Sequence, residues 1–499
     1  MSVTTTYLSK TEVQSLLGVT AFDLWRITRK YDDFPTPEED PGPFAAKDEE
    51  TWDGTEIYRW TAKTPEFEHR GAALLRPLPD DLPPGKWAGY QDTPKGPALD
   101  WHTALGTIRL VHTSKDQAAS AVAADLAQRG NPDGVTTVCA LYGDMSFSGP
   151  ALVAADTAHP TIEYEAQWGV VAQLAGQDLP WWPGLLRSAQ LIRQWHPGAP
   201  ALVAEVPAST RELTLRQAAA NPAFDATAQA ALTDMANDLR NDRVRSTEHD
   251  IEIFGRAFGP TPIVIAARPD TSTHPLPTAD DRQVLTAGWK TIATSSHPDA
   301  VAALELALAR DPRLLPFGAL TRIALRPGTV AEQWTRRLAL CDPTAAHAAL
   351  AGDRPVDAFF IDPLTDTPAL RTVVDGTPAL RFYAPLALPG TGAELTSVVL
   401  DGTVWVKTSD GQVHPAPCTP NEHLWWGDGW GDKPSEAAAV INTLLDDLGA
   451  AVDLREHWKA PRGLTALLEK QAKPGPAEIA RHALLHARMT TPPRSSYED

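Results

Sequence analysis

The sequence contains little cysteine. Three cysteines occur among 499 residues, and Cys139, Cys341 and Cys418 are widely separated. Their odd number and their spacing match neither a disulfide framework nor a set of metal ligands. Because disulfides are rare in reducing compartments, the sequence predicts an intracellular protein, and we expect it to be cytoplasmic.

Long apolar runs and an excess of positive charge are also absent. There is no stretch of about 18 apolar residues, so we expect no membrane-spanning helix and no membrane partner. The first ten residues are polar, and we expect no signal peptide there. The formal net charge of -19 excludes a general nucleic-acid binder, unless basic residues are segregated onto one face.

Motifs for several common enzyme chemistries are missing as well. The sequence has no G-x-x-x-x-G-K-[ST] phosphate loop, no H-E-x-x-H zinc motif and no G-x-S-x-G nucleophile elbow. An enzymatic function therefore has no motif in its favour. We expect neither a set of catalytic residues nor a cofactor.

Three acidic residues near the ends of predicted strands form one speculative metal site. Asp144 comes after VTTVCALY, Asp156 follows PALVAA, and Glu205 lies in ALVAEV. In open α/β sheets ligands bind beyond the carboxyl ends of strands, so these carboxylates could hold Mg²⁺ for chemistry on nucleic acid. Aspartate after a strand is also a common turn former or helix cap. We expect this structural role and no catalytic metal.

The distribution of apolar and proline-rich segments predicts an α/β protein with several parts. A length of 499 residues suggests about three domains. We expect a helical unit over residues 1–70, an α/β domain over 101–350 and a smaller α+β region over 351–499. Residues 71–100 include PLPDDLPPG and DTPKGP, a composition typical of linkers.

Residues 107–267 alternate between short apolar runs and longer amphipathic segments. The predicted strands are TIRLVH, VTTVCALY, PALVAAD, PALVAEV and PIVIAA. Because strands that alternate with helices form βαβ units, we expect a mostly parallel sheet. In the C-terminal region, SVVLDGTVWVKTSDGQV instead predicts an antiparallel hairpin or meander, with turns at Asp401-Gly402 and Asp410-Gly411.

Two short helices are predicted near the N-terminus. Ser9 and Glu12 form an S-x-x-E capping box, which marks a helix start. Gly18 ends this helix, and Thr20 is placed to cap a second helix over residues 21–30. The apolar residues expected to face the first helix are Leu24, Trp25 and Ile27.

The segment YLSKTEVQSLLGVTAFDLWRITRKYDDFP, closed by WDGTEIYRWTA, resembles the AlpA/excisionase-type winged helix-turn-helix of the MerR-related superfamily. The shared features are the Ser9-initiated helix, LLGV at the turn, an aromatic and basic second helix, and Phe34-Pro35 after it. EIYRW matches the closing helix that locks the wing. The resemblance covers roughly 60 residues.

This resemblance implies that the second helix lies in the major groove of DNA. Carried over by position, the expected DNA contacts are Thr20, Phe22, Arg26, Arg29 and Lys30. Arg26 and Arg29 would pair with phosphate or guanine, and Thr20 with phosphate at the helix N-terminus. The residues expected in the core of this unit are Leu16, Leu17, Val19, Leu24 and Trp60.

The sequence departs from the family at the wing. Where a basic hairpin would contact phosphate, the chain reads PTPEEDPGPFAAKDEETWD. Residues 1–70 contain 8 Lys/Arg and 14 Asp/Glu, a net charge of −6. Because this charge opposes non-specific DNA binding, an alternative is that the unit contacts protein instead.

The C-terminal tail is more basic than the rest of the chain. Residues 454–499 contain 8 Lys/Arg and 5 Asp/Glu, and Arg455, Lys459 and Arg462 lie close together in sequence. A basic end on an acidic chain can be a secondary nucleic-acid contact. A solvated helix face is the alternative.

The leading functional hypothesis is sequence-specific binding of double-stranded DNA. The role would be regulatory or in replicon maintenance, on plasmid, phage or telomere-associated DNA, with a homodimer or a protein partner adding contacts. One alternative is an interaction or scaffold protein with a degenerate helix-turn-helix. The other is a metal-dependent nucleic-acid-processing enzyme.

Overall fold

The chain is a mixed α/β protein with a large mixed sheet. The computed structural model describes residues 7–38, 50–76, 78–79, 81–113, 117–129, 134–146, 149–257, 262–271, 279–310, 316–374, 376–390, 392–420, 424–426, 433–452, 454, 456–471 and 476–490. Two compact units are present. Unit 1 comprises Met1–Pro207 and Asn241–Thr273, and unit 2 comprises Ala208–Arg240 and His274–Asp499. The boundary predicted at residue 350 therefore falls inside unit 2.

The N-terminal part of unit 1 consists of short helices beside a two-stranded antiparallel sheet. Its elements are β1 (Tyr7–Ser9), α1 (Lys10–Leu17), α2 (Ala21–Lys30), β2 (Thr51–Asp53) and α3 (Gly54–Lys63). The predicted capping box is confirmed, because the Ser9 backbone N–H donates to Glu12 Oε2 at 2.7 Å. Gly18 ends α1 with a φ of 64°, which favours glycine. Residues 39–49 of the predicted wing lie outside the described residues.

A six-stranded sheet follows in unit 1. Its elements are β3 (Lys86–Thr93), β4 (Gly96–Thr103), β5 (Gly106–Val111), α4 (Ala119–Gln128), β6 (Val135–Ser146), β7 (Gly149–Asp156) and β8 (His159–Ala166). The strands lie in sequence order from β3 to β8. The first two strands occupy residues 86–103, so much of the predicted linker belongs to the sheet.

The prediction of a mostly parallel sheet is wrong for these six strands. Only β5 and β6 pair in parallel, and the other neighbours are antiparallel. The reason is the length of the connections. Two residues join each antiparallel pair, which suffices only for a hairpin, whereas α4 supplies the crossover that a parallel pair needs.

The remaining strands of unit 1 pair in two-stranded parallel sheets. After β8 the chain forms α5 (Trp168–Ala175), β9 (Leu179–Trp181), α6 (Ala189–Gln194), β10 (Leu202–Ala204), α7 (Thr210–Ala219), α8 (Ala226–Ala257), β11 (Ile263–Ile265) and β12 (Ala267–Pro269). β9 pairs with β11 and β10 pairs with β12, both in parallel. α7 and the first part of α8 belong to unit 2.

Unit 2 combines helices with two antiparallel sheets. Its further elements are α9 (Ala279–Thr294), α10 (Pro298–Arg310), β13 (Leu320–Ala324), α11 (Val330–Thr335), β14 (Ala339–Leu340), α12 (Ala345–Ala351), β15 (Ala358–Ile361), β16 (Pro368–Val374), β17 (Thr377–Tyr383), β18 (Leu395–Leu400), β19 (Val404–Thr408), β20 (Val413–Pro415), α13 (Lys433–Asp446), α14 (Arg462–Lys470), β21 (Ala477–Ala480) and α15 (Arg481–Met489). The strand orders are β13-β17-β16-β15-β14 and β20-β19-β18-β21. The predicted C-terminal meander is confirmed, with positive φ at Gly402 and Gly411 in its turns.

The N-terminal helices and the six-stranded sheet share one core in unit 1. The helices contribute Leu16, Leu17, Leu24 and Trp60, which the resemblance placed in a core, and Val19 packs against them partly buried. The sheet contributes to the same cluster through Leu99, Trp101, Ile108 and Leu152. The N-terminal helices therefore do not have a hydrophobic core separate from that of the sheet.

A buried aspartate joins the helices to the sheet. The Tyr58 hydroxyl on α3 donates to Asp156 Oδ2 at 2.8 Å, and the backbone N–H of Ala73 donates to the same oxygen at 3.1 Å. Within the sheet, the hydroxyls of Thr137 and Tyr164 donate to Oδ1 at 2.5 and 3.0 Å. Burial, reinforced by the Asp156 charge, raises the pKa of Tyr58, so this hydroxyl remains a donor.

We expect Tyr58→Phe to lower the free energy of unfolding by about 1–3 kcal/mol, because a buried carboxylate loses one of its donors. Urea denaturation of the full chain measures this effect. Tyr31→Phe is the matched control, since Tyr31 also donates to a carboxylate, Glu66, but in solvent. An equal or smaller loss for Tyr58→Phe would show that the buried bond does not hold α3 to the sheet.

His112 is buried in the interior of unit 1. Its ring meets the edge of Trp182 at a centroid distance of 4.9 Å. Burial, with a smaller effect of the Arg187 charge, lowers the pKa of His112 to about 3. The folded protein therefore keeps this imidazole neutral at pH values where an unfolded chain protonates it.

We expect the stability of the protein to fall as the pH drops from about 6.5 towards 3, because only the unfolded state then binds a proton at His112. Urea midpoints measured between pH 7 and 4 should fall less steeply for His112→Leu than for the wild type. His196→Leu removes an exposed histidine and should keep the wild-type slope. Parallel profiles for the wild type and His112→Leu would contradict the buried neutral state.

Candidate nucleic-acid interface

Helix α2 has a buried inner face and an exposed outer face. Leu24 and Ile27 are buried three residues apart, which places them on one side of the helix. Phe22 is 65% exposed and Trp25 is 48% exposed. Trp25 was expected to face α1, and this is corrected. Trp25 follows Leu24 directly, so about 100° of helical rotation separates the two side chains.

Aromatic and basic side chains form an ordered stack on this outer face. The rings of Phe22 and Trp25 stack with centroids 5.8 Å apart and an angle of 22° between planes. The Arg29 guanidinium lies over the Trp25 ring at 4.1 Å. Arg26 is exposed nearby, with Nη1 4.0 Å from Asp23 Oδ1. We call Phe22, Trp25, Arg26 and Arg29 the α2 outer surface.

Thr20 and Asp23 close the N-terminus of α2. The Thr20 hydroxyl accepts the backbone N–H of Asp23 at 3.2 Å and donates to Asp23 Oδ2 at 2.7 Å. The predicted cap is confirmed, since Thr20 is the N-cap residue. The Asp23 carboxylate now occupies the helix terminus where a phosphate contact was expected from Thr20. The T-x-x-D spacing of Thr20 and Asp23 is the sequence signal for this contact.

Lys30 is not part of the α2 outer surface, because its side chain pairs with Glu66. Lys30 Nζ lies 2.8 Å from Glu66 Oε2, and the Tyr31 hydroxyl donates to the same oxygen at 2.9 Å. Hydrogen bonding to Glu66 raises the pKa of Lys30, and the bond from Lys30 lowers that of Glu66. A cleft of about 350 Å³ lies between α2 and the segment that contains Glu66 and Phe67. Its lining residues are Val19, Asp23, Arg26, Ile27, Lys30, Glu66 and Phe67. Glu66 is 36 residues away in sequence, so no local pattern predicted it.

The predicted basic contact in the tail is described only in part. Arg455 lies outside the described residues. Lys459 pairs with Glu456 at 2.7 Å, and Arg462 is the exposed first residue of α14. Trp458 between them is exposed. These residues belong to unit 2, whereas the α2 outer surface belongs to unit 1.

The three speculative metal ligands lie apart in the fold. Asp156 pairs across the sheet with Thr137, near the start of β6, whereas Asp144 is seven residues further along that strand. Seven residues of strand span about 23 Å. The two aspartates are separated in this way because antiparallel neighbours carry their carboxyl ends to opposite edges of the sheet. Glu205 follows β10 in another sheet. The Asp144 side chain is not among the side chains that the structure describes. Among the residues that are described, no group of three or more potential metal ligands occurs.

Asp156 instead accepts hydrogen bonds from four donors inside the fold, which differs from the turn or helix cap expected of it. Cys341 and His347 are residue types that could form a catalytic thiol–imidazole couple, but here they do not. His347 Nε2 lies 2.8 Å from the carbonyl oxygen of Phe360, and its Nδ1 accepts the backbone N–H of Thr344 at 3.2 Å. Both ring nitrogens are thus occupied, and burial together with Asp342 raises the pKa of the Cys341 thiol.

No protein-family model, curated protein or solved structure matches this chain. In the part of the chain that the structure describes, no helix combines the length and the apolar character needed to cross a membrane. The features that bear on function are the geometry of α2 and the sequence pattern of residues 7–64.

The orientation of α2 predicts that substitutions at the neighbouring residues Leu24 and Trp25 lower the free energy of unfolding by different amounts. Leu24→Ala should lower the free energy of unfolding by about 2–5 kcal/mol, because it leaves a cavity in the core. Trp25→Ala should cost about 1 kcal/mol or less, the value of an exposed cation–π contact. Urea denaturation of the two variants measures the contrast. A larger loss for Trp25→Ala would mean that α2 is rotated about its axis.

Proposed function

We propose that the protein binds double-stranded DNA sequence-specifically through the α2 outer surface, in a regulatory or replicon-maintenance role. The observation that carries the proposal is the position of Arg26 and Arg29 on the exposed face, while Leu24 and Ile27 anchor the opposite face. A helix that enters the major groove needs such an arrangement, because its core side must be rigid and its groove side open.

The two arginines supply chemistry suited to this role. A guanidinium donates two parallel hydrogen bonds to the O6 and N7 atoms of guanine, or to phosphate oxygens. Stacking on Trp25 restricts the Arg29 side chain before DNA is bound. Less rotamer entropy is then lost on binding, which favours affinity.

The surrounding charge favours selective over general binding. Residues 1–70 carry a net charge of −6, and Asp23 and Glu66 lie close to Arg26 and Lys30. Affinity that depends on phosphate contacts alone is weak in such a field. Binding to the correct sequence therefore needs base contacts from α2, supported by a second copy of the chain or by basic residues elsewhere.

A protein partner is the second candidate for this surface. The observation in its favour is the exposed Phe22–Trp25 pair, flanked by acidic as well as basic groups. Tryptophan and arginine are enriched among the residues that dominate protein interfaces. We do not propose metal-dependent nucleic-acid processing, because Asp144 and Asp156 lie near opposite ends of their paired strands.

We expect Arg26→Ala and Arg29→Ala each to weaken specific DNA binding by about 1–3 kcal/mol, the value of one good base contact. The full chain is first used to select duplexes from a genomic fragment library, and affinities are then measured over a range of salt. Arg245→Ala is the charge-matched control, since the Arg245 side chain is 65% exposed, compared with 67% for Arg26.

Two results would contradict the proposal. The first is equal retention of the same fragments by the wild type and both α2 variants. The second is the absence of any retained fragment, even at low salt. In either case protein contact becomes the better explanation of the α2 outer surface.

A further inference from the structure

Phe22 is an apolar residue on the exposed face of α2, where the positive charges of Arg26 and Arg29 do not account for its presence. It is the second residue of α2, and its ring is largely exposed although the residue is fully apolar. In a helix-turn-helix the N-terminal residues of the second helix approach the base edges most closely. In that arrangement Phe22 would be among the residues nearest to the bases, and it has no group that can form a strong hydrogen bond with them.

The stack holds this ring in a defined orientation. Phe22, Trp25 and Arg29 follow one another at spacings of three and four residues, so they form a single stripe along α2. The stripe extends over about 10 Å of helix, at 1.5 Å per residue. Base pairs are stacked 3.4 Å apart, so its length matches about three base pairs.

One base edge suits an apolar ring. Thymine presents its C5-methyl group in the major groove, whereas cytosine presents an amino donor and the purines present the N7 acceptor. A phenyl ring against an amino group would remove a donor from water without replacing its hydrogen bond, which is unfavourable. Against a methyl group, the same ring buries apolar surface on both sides.

We propose that Phe22 selects thymine at one position of the bound sequence by contact with its C5-methyl group. The inference rests on the proposed DNA-binding function and adds a specificity-determining residue to it. Arg26 and Arg29 on the same face supply the positive charge that brings the ring to DNA. Specificity at this position then comes from an apolar contact instead of a hydrogen bond.

The test uses the full chain and a duplex selected from a random-sequence library. Each thymine of that duplex is replaced singly by deoxyuridine, which removes the methyl group and leaves base pairing unchanged. At one position we expect the wild type to bind about fourfold more weakly, since one buried methyl is worth about 0.8 kcal/mol. Phe22→Ala should bind the thymine and uracil duplexes equally there. Leu340→Ala, which alters an exposed residue of unit 2, should keep the wild-type response.

The outcomes separate this inference from the function on which it rests. If the wild type binds a selected duplex but no thymine responds, or if Phe22→Ala keeps the response, the inference is wrong and DNA binding stands. If no duplex is selected and none is bound, both are wrong, and Phe22 and Trp25 are better assigned to a protein interface. Circular dichroism and the urea midpoint of Phe22→Ala establish that the variant is folded.

Discussion

The Asp156 carboxylate is the hydrogen-bonded contact that joins α3 to the six-stranded sheet, beside the core that the N-terminal helices and the sheet share. A buried carboxylate is strongly unfavourable without hydrogen-bond donors. Here the donors come from α3, from the segment after it and from two strands of the sheet. Because Tyr58 on α3 is one of these donors, the position of that helix is set by the sheet as well as by its own core. α1 and α2 pack into the same hydrophobic cluster.

This attachment explains how α2 can present an open face. Its apolar residues are used in the core of unit 1, which leaves aromatic and basic side chains outside. The aromatic–arginine stack orders these side chains at modest cost, whereas Lys30 is held by Glu66. For the proposed DNA-binding function, a partly basic helix face on an acidic protein favours recognition of a specific sequence over general attraction to nucleic acid.

Local features were predictable from the sequence because local chemistry determines them. The capping box at Ser9, the cap at Thr20, the glycine turn and the Asp-Gly turns follow from short-range hydrogen bonding and backbone sterics. Strand direction was not predictable to the same extent. β3, β4 and β8 were not predicted as strands, and the two-residue connections that make most pairs antiparallel became evident only once the strand ends were known. Contacts across long separations, such as Tyr58 with Asp156 or Lys30 with Glu66, leave no local pattern.

Site-specific photo-crosslinking of the full chain tests directly whether the α2 outer surface contacts DNA. A benzophenone amino acid is placed at Phe22 in one sample and at Val203, an exposed apolar residue on β10, in another. Each sample is irradiated with selected duplex DNA. We expect covalent DNA adducts from position 22 and a background yield from position 203. Equal yields at both positions, or no DNA adduct at position 22, would contradict the assignment of the α2 outer surface to DNA.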